Sequence, residues 1–387
     1  VVDLGGTDFR IKADGTAIEP VTGRVGTFGM TLNQVGDRFP SSGGTPAIYA
    51  LPIPYHYLKR NPFVASPGMN HQASDYNRGF RISDPHPWRV KRQQDLAWIK
   101  FYGSRETNSN YFSGGCSTEF FGGGRFPSAY AGNLFYCEPS LNIIHRTILS
   151  RDRNGYVARR ARMERESEFL ASTDQWFRPM SLRFGPDGSL YIVDMYREII
   201  EDYSAIPRFL QQQYGLNRGS DRGRIWRLSR ASKGKNEKRV PAIQAASLSS
   251  RDLVERTQDS EAWWRLTAQR LLVERQDKTV AGALRSIIRQ DQSAAACLSA
   301  LYTLRGLDLL KTDSLRIALA SRFYEVRVHS LRLAEREFQD KGIQFQVLAM
   351  ARDSDSRVRL QLALSLGEME GAAAVGVLLE LLRNFSD

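Results

Sequence analysis

The fold of the first half of the chain is best read from FGPDGSLYIVD, residues 184–194. Its Pro-Asp-Gly core favours a tight turn, the β-prone residues Leu190–Val193 follow as a strand, and Asp194 ends that strand. A weaker copy, FRIKADGT at residues 9–16, lies near the start of the chain. Strand-turn-strand units that recur along a chain are typical of β-propeller blades.

Residues 1–230 are rich in glycine, proline, asparagine and aromatic residues, and they show little helical periodicity. This composition predicts an all-β domain, which we interpret as the C-terminal blades of a propeller truncated at its N-terminus. Residues 40–110 form a long irregular stretch. We expect it to supply loops on one face, where binding and catalytic residues are often found.

The sequence changes character near Val240, where glycine and proline become rare and a 3.6-residue apolar period begins. Four segments align, namely WRLTA (264–268), ACLSA (296–300), VRVHS (326–330) and VRLQL (358–362). Their second residues are separated by 297 − 265 = 32, 327 − 297 = 30 and 359 − 327 = 32 positions. Such a period predicts an all-α, HEAT-like solenoid over residues 241–387, which follows a linker at residues 231–240.

The residues that precede two of the helical segments predict how these helices begin. Asp259-Ser260 and Asp353-Ser354 precede two of the helical segments, so we expect them to be N-caps.

The chain begins at Val1 inside sequence that already reads as ordered, and it stops at Asp387 just after an apolar helical pattern. We therefore expect a fragment of a larger multidomain protein.

Length and composition limit the classes of function. The 387 residues exceed what one hydrophobic core usually organises, and no apolar run is long enough to cross a bilayer. The net charge of +12 comes largely from dispersed arginines, so we expect no nucleic-acid partner.

The three cysteines lack CxxC and CxxCH spacing, which excludes a local zinc knuckle or attached haem within this chain. Cys116 and Cys137 would either pair in an oxidising compartment or remain two free thiols.

Several motifs between residues 57 and 228 carry a family resemblance. They are YLKRNP (57–62), GNLFYCEP (132–139), EFLASTDQWFRP (168–179), DMYRE (194–198) and DRGRIWRL (221–228). Together they resemble a bacterial family of membrane-bound dehydrogenases, whose propeller is similar to soluble quinoprotein glucose and sorbosone dehydrogenases. The helical tail matches the usual continuation of that family.

The resemblance implies an oxidoreductase that oxidises a sugar or polyol with pyrroloquinoline quinone and calcium. It also implies export to the periplasm or cell envelope and a cytochrome c as electron acceptor, although this chain has no haem motif. We expect the HEAT-like repeats to dock a protein partner.

Such chemistry needs a base, cations for the carboxylates of the quinone, and a calcium ion. The candidate catalytic residues are His145, Arg178 and Asp194; the candidate cofactor-binding residues are Arg178, Tyr196, Arg197 and Arg222; and the candidate calcium ligands are Asp194, Glu198 and Glu201.

Each candidate also has a structural interpretation. His145 would hold a loop between blades, Arg178 would form a structural ion pair, and Asp194 would belong to a self-satisfied network of charges. Glu138, if buried, would need a partner such as Arg146.

A second hypothesis comes from a different functional class. The chain would be a non-catalytic scaffold whose propeller binds a glycan or protein and whose helical array offers a concave surface. The two hypotheses differ in whether His145, Arg178, Asp194 and Arg197 converge in one pocket.

Overall fold

The computed structural model of the chain describes residues 8–12, 14–21, 28–61, 63, 69–92, 110–200, 206, 211–216, 218–230 and 244–384. The chain divides into two compact units between Ala231 and Ser232. The predicted linker at residues 231–240 lies outside the described residues.

The first part of the N-terminal unit contains three small antiparallel pairs of strands. They are β1 (Asp8–Ile11) with β2 (Ile18–Val21), β3 (Met30–Leu32) with β4 (Arg38–Pro40), and β5 (Ile48–Ala50) with β6 (Asn70–Gln72). Two short helices, α1 (Tyr55–Leu58) and α2 (Pro87–Arg92), interrupt the stretch predicted as irregular loops.

The largest sheet is antiparallel and follows the order β10-β9-β8-β7, with β11 beside the start of β9. Its strands are β7 (Cys116–Phe120), β8 (Asn133–Glu138), β9 (Ile143–Asp152), β10 (Gly155–Arg160) and β11 (Leu170–Ala171). A three-stranded sheet follows, built from β12 (Pro179–Phe184), β13 (Leu190–Asp194) and β14 (Arg224–Leu228). The predicted strand after the Pro-Asp-Gly turn is β13, and Gly188 turns the chain there at a φ of +72°.

An aromatic core packs these two sheets against each other. Phe135 of the larger sheet and Phe184 of the smaller one lie 5.8 Å apart between ring centroids, and Phe121 lies 4.6 Å from Phe184. Leu182, Leu190 and Ile192 complete the same apolar cluster. Residues of β8 and β13 belong to this core, and the candidate residue Asp194 ends β13.

The C-terminal unit consists of helices linked by short turns. They are α3 (Ser250–Arg256), α4 (Ala262–Arg275), α5 (Ala281–Gln290), α6 (Ala294–Gly306), α7 (Thr312–Leu319), α8 (Tyr324–Ala334), α9 (Lys341–Ala349), α10 (Ser356–Ser365) and α11 (Ala372–Asn384). Side chains recurring at helical spacing, such as Val358 and Leu362, are fully buried in its core. Ser249 and Asp252 form a capping box that begins α3.

One contact recurs along the helical unit. Arg265, Arg327 and Arg359 each donate a hydrogen bond to the carbonyl six residues earlier, on Asp259, Ser321 and Asp353. These three arginines occupy the aligned second position of the predicted repeats. Each arginine therefore closes the turn that precedes its own helix.

The predicted N-caps are displaced. Glu261 and Asp355, rather than the Asp-Ser pairs, occupy the N-cap positions of α4 and α10. Asp259 and Asp353 instead accept the backbone N–H groups of Glu261 and Asp355, two residues later. The aspartates thus shape the turn before each helix, a local pattern that competes with capping.

The prediction of a β-rich region followed by a helical region is confirmed. No sheet closes on itself among the described residues, so the propeller is not shown. None of the described helices is long and apolar enough to traverse a bilayer.

Candidate functional site

A small cavity in the N-terminal unit brings together several polar side chains that are distant in sequence. Its lining includes Arg81, Asp84, His86, Arg89, Ser140, Asn142, Gln175 and Arg178, with Trp88, Ile199 and Ile200. The cavity volume of about 10 Å³ is close to the space required by one water molecule. Among the sequence-predicted site residues, Arg178 alone contributes to this lining.

Cationic groups surround the cavity. Burial and the neighbouring positive charge of Arg89 lower the pKa of Arg81 to about 10. Burial also lowers the pKa of His86, although Glu198 lies 3.3 Å from its Nε2 atom and opposes that shift. The cavity therefore favours an anionic or hydrogen-bond-accepting group over a cation.

Arg178 is buried, and every nitrogen of its guanidinium donates to a backbone carbonyl. Nε bonds to the carbonyl of Arg197 at 3.0 Å, Nη1 to that of Pro139 at 2.8 Å, and Nη2 to that of Glu198 at 2.6 Å. This planar fork ties three segments together, a role that a lysine could not reproduce. Through these three hydrogen bonds, Arg178 acts as a clamp on backbone carbonyls.

Asp194 is buried at the end of β13 and serves as a shared acceptor. Its Oδ1 accepts the backbone N–H groups of Arg178 at 2.8 Å and Tyr196 at 2.9 Å, and its Oδ2 accepts Trp226 Nε1 at 2.9 Å. Tyr196 has a φ of +48°, a left-handed conformation that is strained for a tyrosine. Asp194 holds this conformation in place.

His145 is the third residue of β9, lies outside the cavity lining, and is completely buried. Its Nδ1 lies 2.7 Å from Glu168 Oε2, and its Nε2 lies 2.9 Å from Tyr76 Oη. Glu168 also accepts Arg160 Nη2 at 2.8 Å. Burial lowers the pKa of His145, which favours the neutral ring. Both ring nitrogens are engaged, as expected for the structural interpretation.

The remaining candidates are dispersed. Arg197 supplies its carbonyl to Arg178, while its Nε atom is buried without a hydrogen-bond partner among the described residues. Arg222 is exposed and lies 4.0 Å from Asp221. Glu198 contacts His86 and Arg218, and Glu201 lies outside the described residues. Arg178 is bonded to Asp194 and to the carbonyl of Arg197, but of His145, Arg178, Asp194 and Arg197 only Arg178 lines the cavity described above.

The described donors do not fit a calcium ion. Calcium requires carboxylate and carbonyl oxygens that are free to face it, whereas both oxygens of Asp194 accept N–H groups and the Glu198 carboxylate contacts His86 and Arg218. Within the described ranges, no group of three or more His, Cys, Asp or Glu side chains could hold a metal ion.

A quinone cofactor does not fit the cavity either. The rings of pyrroloquinoline quinone occupy many times the space of the single water that the cavity accommodates. The cations around the cavity suit its carboxylates, but the enclosed volume does not admit the molecule.

The prediction that Arg146 is the partner of the buried Glu138 was wrong. Arg146 is bound to Glu164, with Nη2 2.7 Å from Oε1. The buried Glu138 carboxylate instead accepts the backbone N–H groups of Ser113, Gly114 and Ser140. Burial nevertheless raises the pKa of Glu138 above its ordinary value.

Sequence reasoning missed Arg81, His86 and Arg89 because all three lie in the stretch interpreted as irregular loops. The signal available was FRISDPHPW, residues 80–88, which mixes charged, aromatic and proline residues. Such a mixture is typical of an ordered segment that packs against a framework.

Cys116 and Cys137 are free thiols that lie directly opposite each other on β7 and β8. Both are buried, and burial together with the neighbouring Cys116 thiol raises the pKa of Cys137. The structure thus brings together the two cysteines whose pairing the sequence left open.

Comparison with known proteins yields one match. The model of the DUF7133 family, described as a domain of unknown function, matches residues 1–232, which is more than half of the chain. Neither a curated protein nor a solved structure matches the chain. The chain belongs to the DUF7133 family.

Proposed function

We propose that this chain is a non-catalytic binding scaffold, in which propeller-like blades carrying the DUF7133 domain are joined to a HEAT-like helical array. The observation that carries the proposal is the engagement of His145, Arg178 and Asp194 in internal hydrogen bonds. A general base or a cofactor clamp must present a free group to its ligand, and these side chains are used to hold the fold.

A groove in the helical unit supports a protein partner. It lies between α3 and α5 and encloses about 690 Å³, and Val254, Val280 and Ile287 contribute its apolar part. Arg251, Glu255 and Asp277 supply charges along the same groove. An apolar groove with charged borders is suited to a peptide segment whose apolar anchors and charges complement it.

The dehydrogenase hypothesis remains the alternative proposal. In that case the chain would oxidise a sugar or polyol with pyrroloquinoline quinone and calcium, pass electrons to a cytochrome c, and work in the periplasm or cell envelope. Its supporting observation is the cluster of Arg81, Arg89 and Arg178 around one cavity, since arginine suits carboxylates. The enclosed volume and the occupied carboxylates count against it.

The first experiment is calorimetric titration of the full chain with pyrroloquinoline quinone in calcium-containing buffer, followed by a dye-reduction assay over sugars and polyols. The scaffold proposal expects neither saturable heat nor dye reduction. Saturable binding that Arg81→Ala weakens at least tenfold, while the exposed Arg270→Ala control leaves it unchanged, would overturn the proposal.

The second experiment tests the groove with a peptide library displayed on phage and selected against the full chain. Ala283 is exposed and lines the groove, so Ala283→Trp fills it from the surface. Arg289→Trp places the same bulk on α5 outside the groove lining. We expect enriched peptides to lose at least tenfold in affinity for Ala283→Trp alone. Equal binding to both variants would contradict a role for the groove.

A further inference from the structure

Cys116 and Cys137 meet the geometric requirement for a covalent link. They are register partners in the antiparallel pair of β7 and β8. Residues directly opposite each other in such a pair have Cα atoms about 4.5 to 5.5 Å apart. Disulfides form across Cα separations of about 4.4 to 6.8 Å. The backbone separation expected for this register pair therefore lies within the range that a disulfide spans.

The backbone ladder is irregular beside this pair. The next register pair is Glu119 with Phe135, so three steps on β7 correspond to two steps on β8. The extra residue forms a β-bulge, and Ser117 within it has a φ of +49°. A bulge interrupts the ladder hydrogen bonds, so a covalent link at Cys116 would fix the end of β7 where backbone pairing is weakest.

The same point joins several segments of the N-terminal unit. Ser117 donates its backbone N–H to the carbonyl of Phe28, and its side chain accepts the backbone N–H of Leu182. Cys116 Sγ lies 3.6 Å from the carbonyl of Met180 on β12. A link between Cys116 and Cys137 would therefore stabilise a junction between the larger sheet and the three-stranded sheet.

We propose that Cys116 and Cys137 form a cross-strand disulfide when the chain folds in an oxidising compartment. The two thiols give up two protons and two electrons as the S–S bond forms. A disulfide oxidant, such as oxidised glutathione or the disulfide of an oxidoreductase, accepts them through a mixed disulfide and leaves as thiols. Because both thiols are buried in the folded chain, the reaction takes place during folding.

Cys297 supplies an internal control in the helical unit. Its Sγ lies 3.8 Å from the carbonyl of Ile287 and 3.6 Å from Asp291 Oδ1. Burial and the Asp291 carboxylate raise the pKa of Cys297 to about 12. A thiol of this kind forms little thiolate at neutral pH and should remain reduced.

The test is to refold the full chain in a mixture of reduced and oxidised glutathione, denature it, and alkylate the free thiols before mass spectrometry. We expect one alkylated cysteine, Cys297, and a tryptic species that joins the peptides on either side of Arg125. Cys137→Ala should show two alkylated cysteines, and Cys297→Ala should show none. Three alkylated thiols, or stable glutathione adducts, in a refolded wild-type chain would overturn the proposal.

Thermal unfolding of the oxidised and the reduced chain provides a second readout. The oxidised chain should melt roughly 5 to 10 °C above the same sample treated with dithiothreitol, because the bond closes a loop of 137 − 116 = 21 residues. Cys137→Ala should melt at the same temperature with and without the reductant. An oxidised wild-type chain that melts at or below the reduced one would show that the native register does not accept the bond.

Discussion

The two units of the chain place their polar groups in different ways. In the N-terminal unit, buried charged side chains bind partners far away in the sequence, as when Phe80 N–H donates to Glu168 Oε1 across 88 residues. In the helical unit, a recurring arginine binds a carbonyl six residues earlier. The first arrangement makes stability depend on a few long-range networks, whereas the second distributes it along the chain.

This difference has an energetic consequence. A buried carboxylate that accepts several N–H groups leaves all of them unsatisfied when it is removed, and each unsatisfied buried group costs about 1 to 3 kcal/mol. Removing one of the recurring arginines leaves a single carbonyl of its own turn without that donor. Substitutions in the N-terminal unit should therefore be more damaging than matched substitutions in the helical unit.

The largest effect is expected for Glu138→Ala. The substitution removes the acceptor of the Ser113, Gly114 and Ser140 N–H groups. We expect the free energy of unfolding to fall by roughly 2 to 4 kcal/mol, measured by urea titration. The exposed Glu274→Ala in the helical unit should change it by less than about 0.5 kcal/mol. Similar losses in the two variants would contradict the contrast between the units.

Asp194→Ala should have the next largest effect. It leaves Arg178 N–H, Tyr196 N–H and Trp226 Nε1 without their acceptor. We expect a loss of roughly 2 to 3 kcal/mol together with faster hydrogen exchange at Tyr196, where the strained backbone is released. Asp194→Asn keeps one carbonyl oxygen and should lose less; a loss equal to that of the alanine variant would indicate that charge, rather than hydrogen bonding, matters here.

Acid should destabilise the N-terminal unit first. Burial lowers the pKa of His145 and His86, so the folded chain binds protons at these rings less readily than the unfolded chain, whose histidines titrate near pH 6.5. The unfolded state then holds more protons, and the free energy of unfolding falls between pH 7 and 5, by at most about 1.4 kcal/mol per pH unit for each histidine. Hydrogen exchange resolved by unit measures this. His145→Gln should reduce the slope of the free energy of unfolding against pH in the N-terminal unit. An unchanged slope would exclude His145 as a source of the pH dependence.

A smaller effect is expected for Arg327→Ala in the helical unit. Arg327 donates to the carbonyl of Ser321 and to both carboxylate oxygens of Asp353. We expect a loss of roughly 1 to 2 kcal/mol by urea titration. Arg270→Ala, which removes an exposed pair with Glu274, is the matched control and should cost less than about 0.5 kcal/mol. A loss for Arg327→Ala above that of Glu138→Ala would reverse the comparison.

The sequence predicted the helical unit better than the site. Periodicity is a local property, so the aligned positions of Arg265, Arg327 and Arg359 could be found by counting residues, and the structure gives all three the same contact. The cap positions were missed by one or two residues because Asp259 and Asp353 compete for backbone N–H groups in the preceding turn.

The N-terminal site was harder to predict because residue type does not reveal what a side chain binds. An arginine such as Arg178 is a residue type suited to clamp a ligand, yet its guanidinium nitrogens donate to the carbonyls of Pro139, Arg197 and Glu198. Glu138 required a partner, and backbone N–H groups supplied it where an arginine was expected. These contacts depend on loops that show no period in the sequence.

The recurring arginine contact also bears on how the helical unit could have evolved. Each arginine contacts a carbonyl in the turn of its own segment, while other hydrogen bonds, such as Arg327 to Asp353 and Ser321 to Asp291, join neighbouring segments. Duplication of a whole segment would keep the arginine contact of each turn, since that contact lies within one segment. The N-terminal unit has no such freedom, because removing one strand would break networks that involve several others.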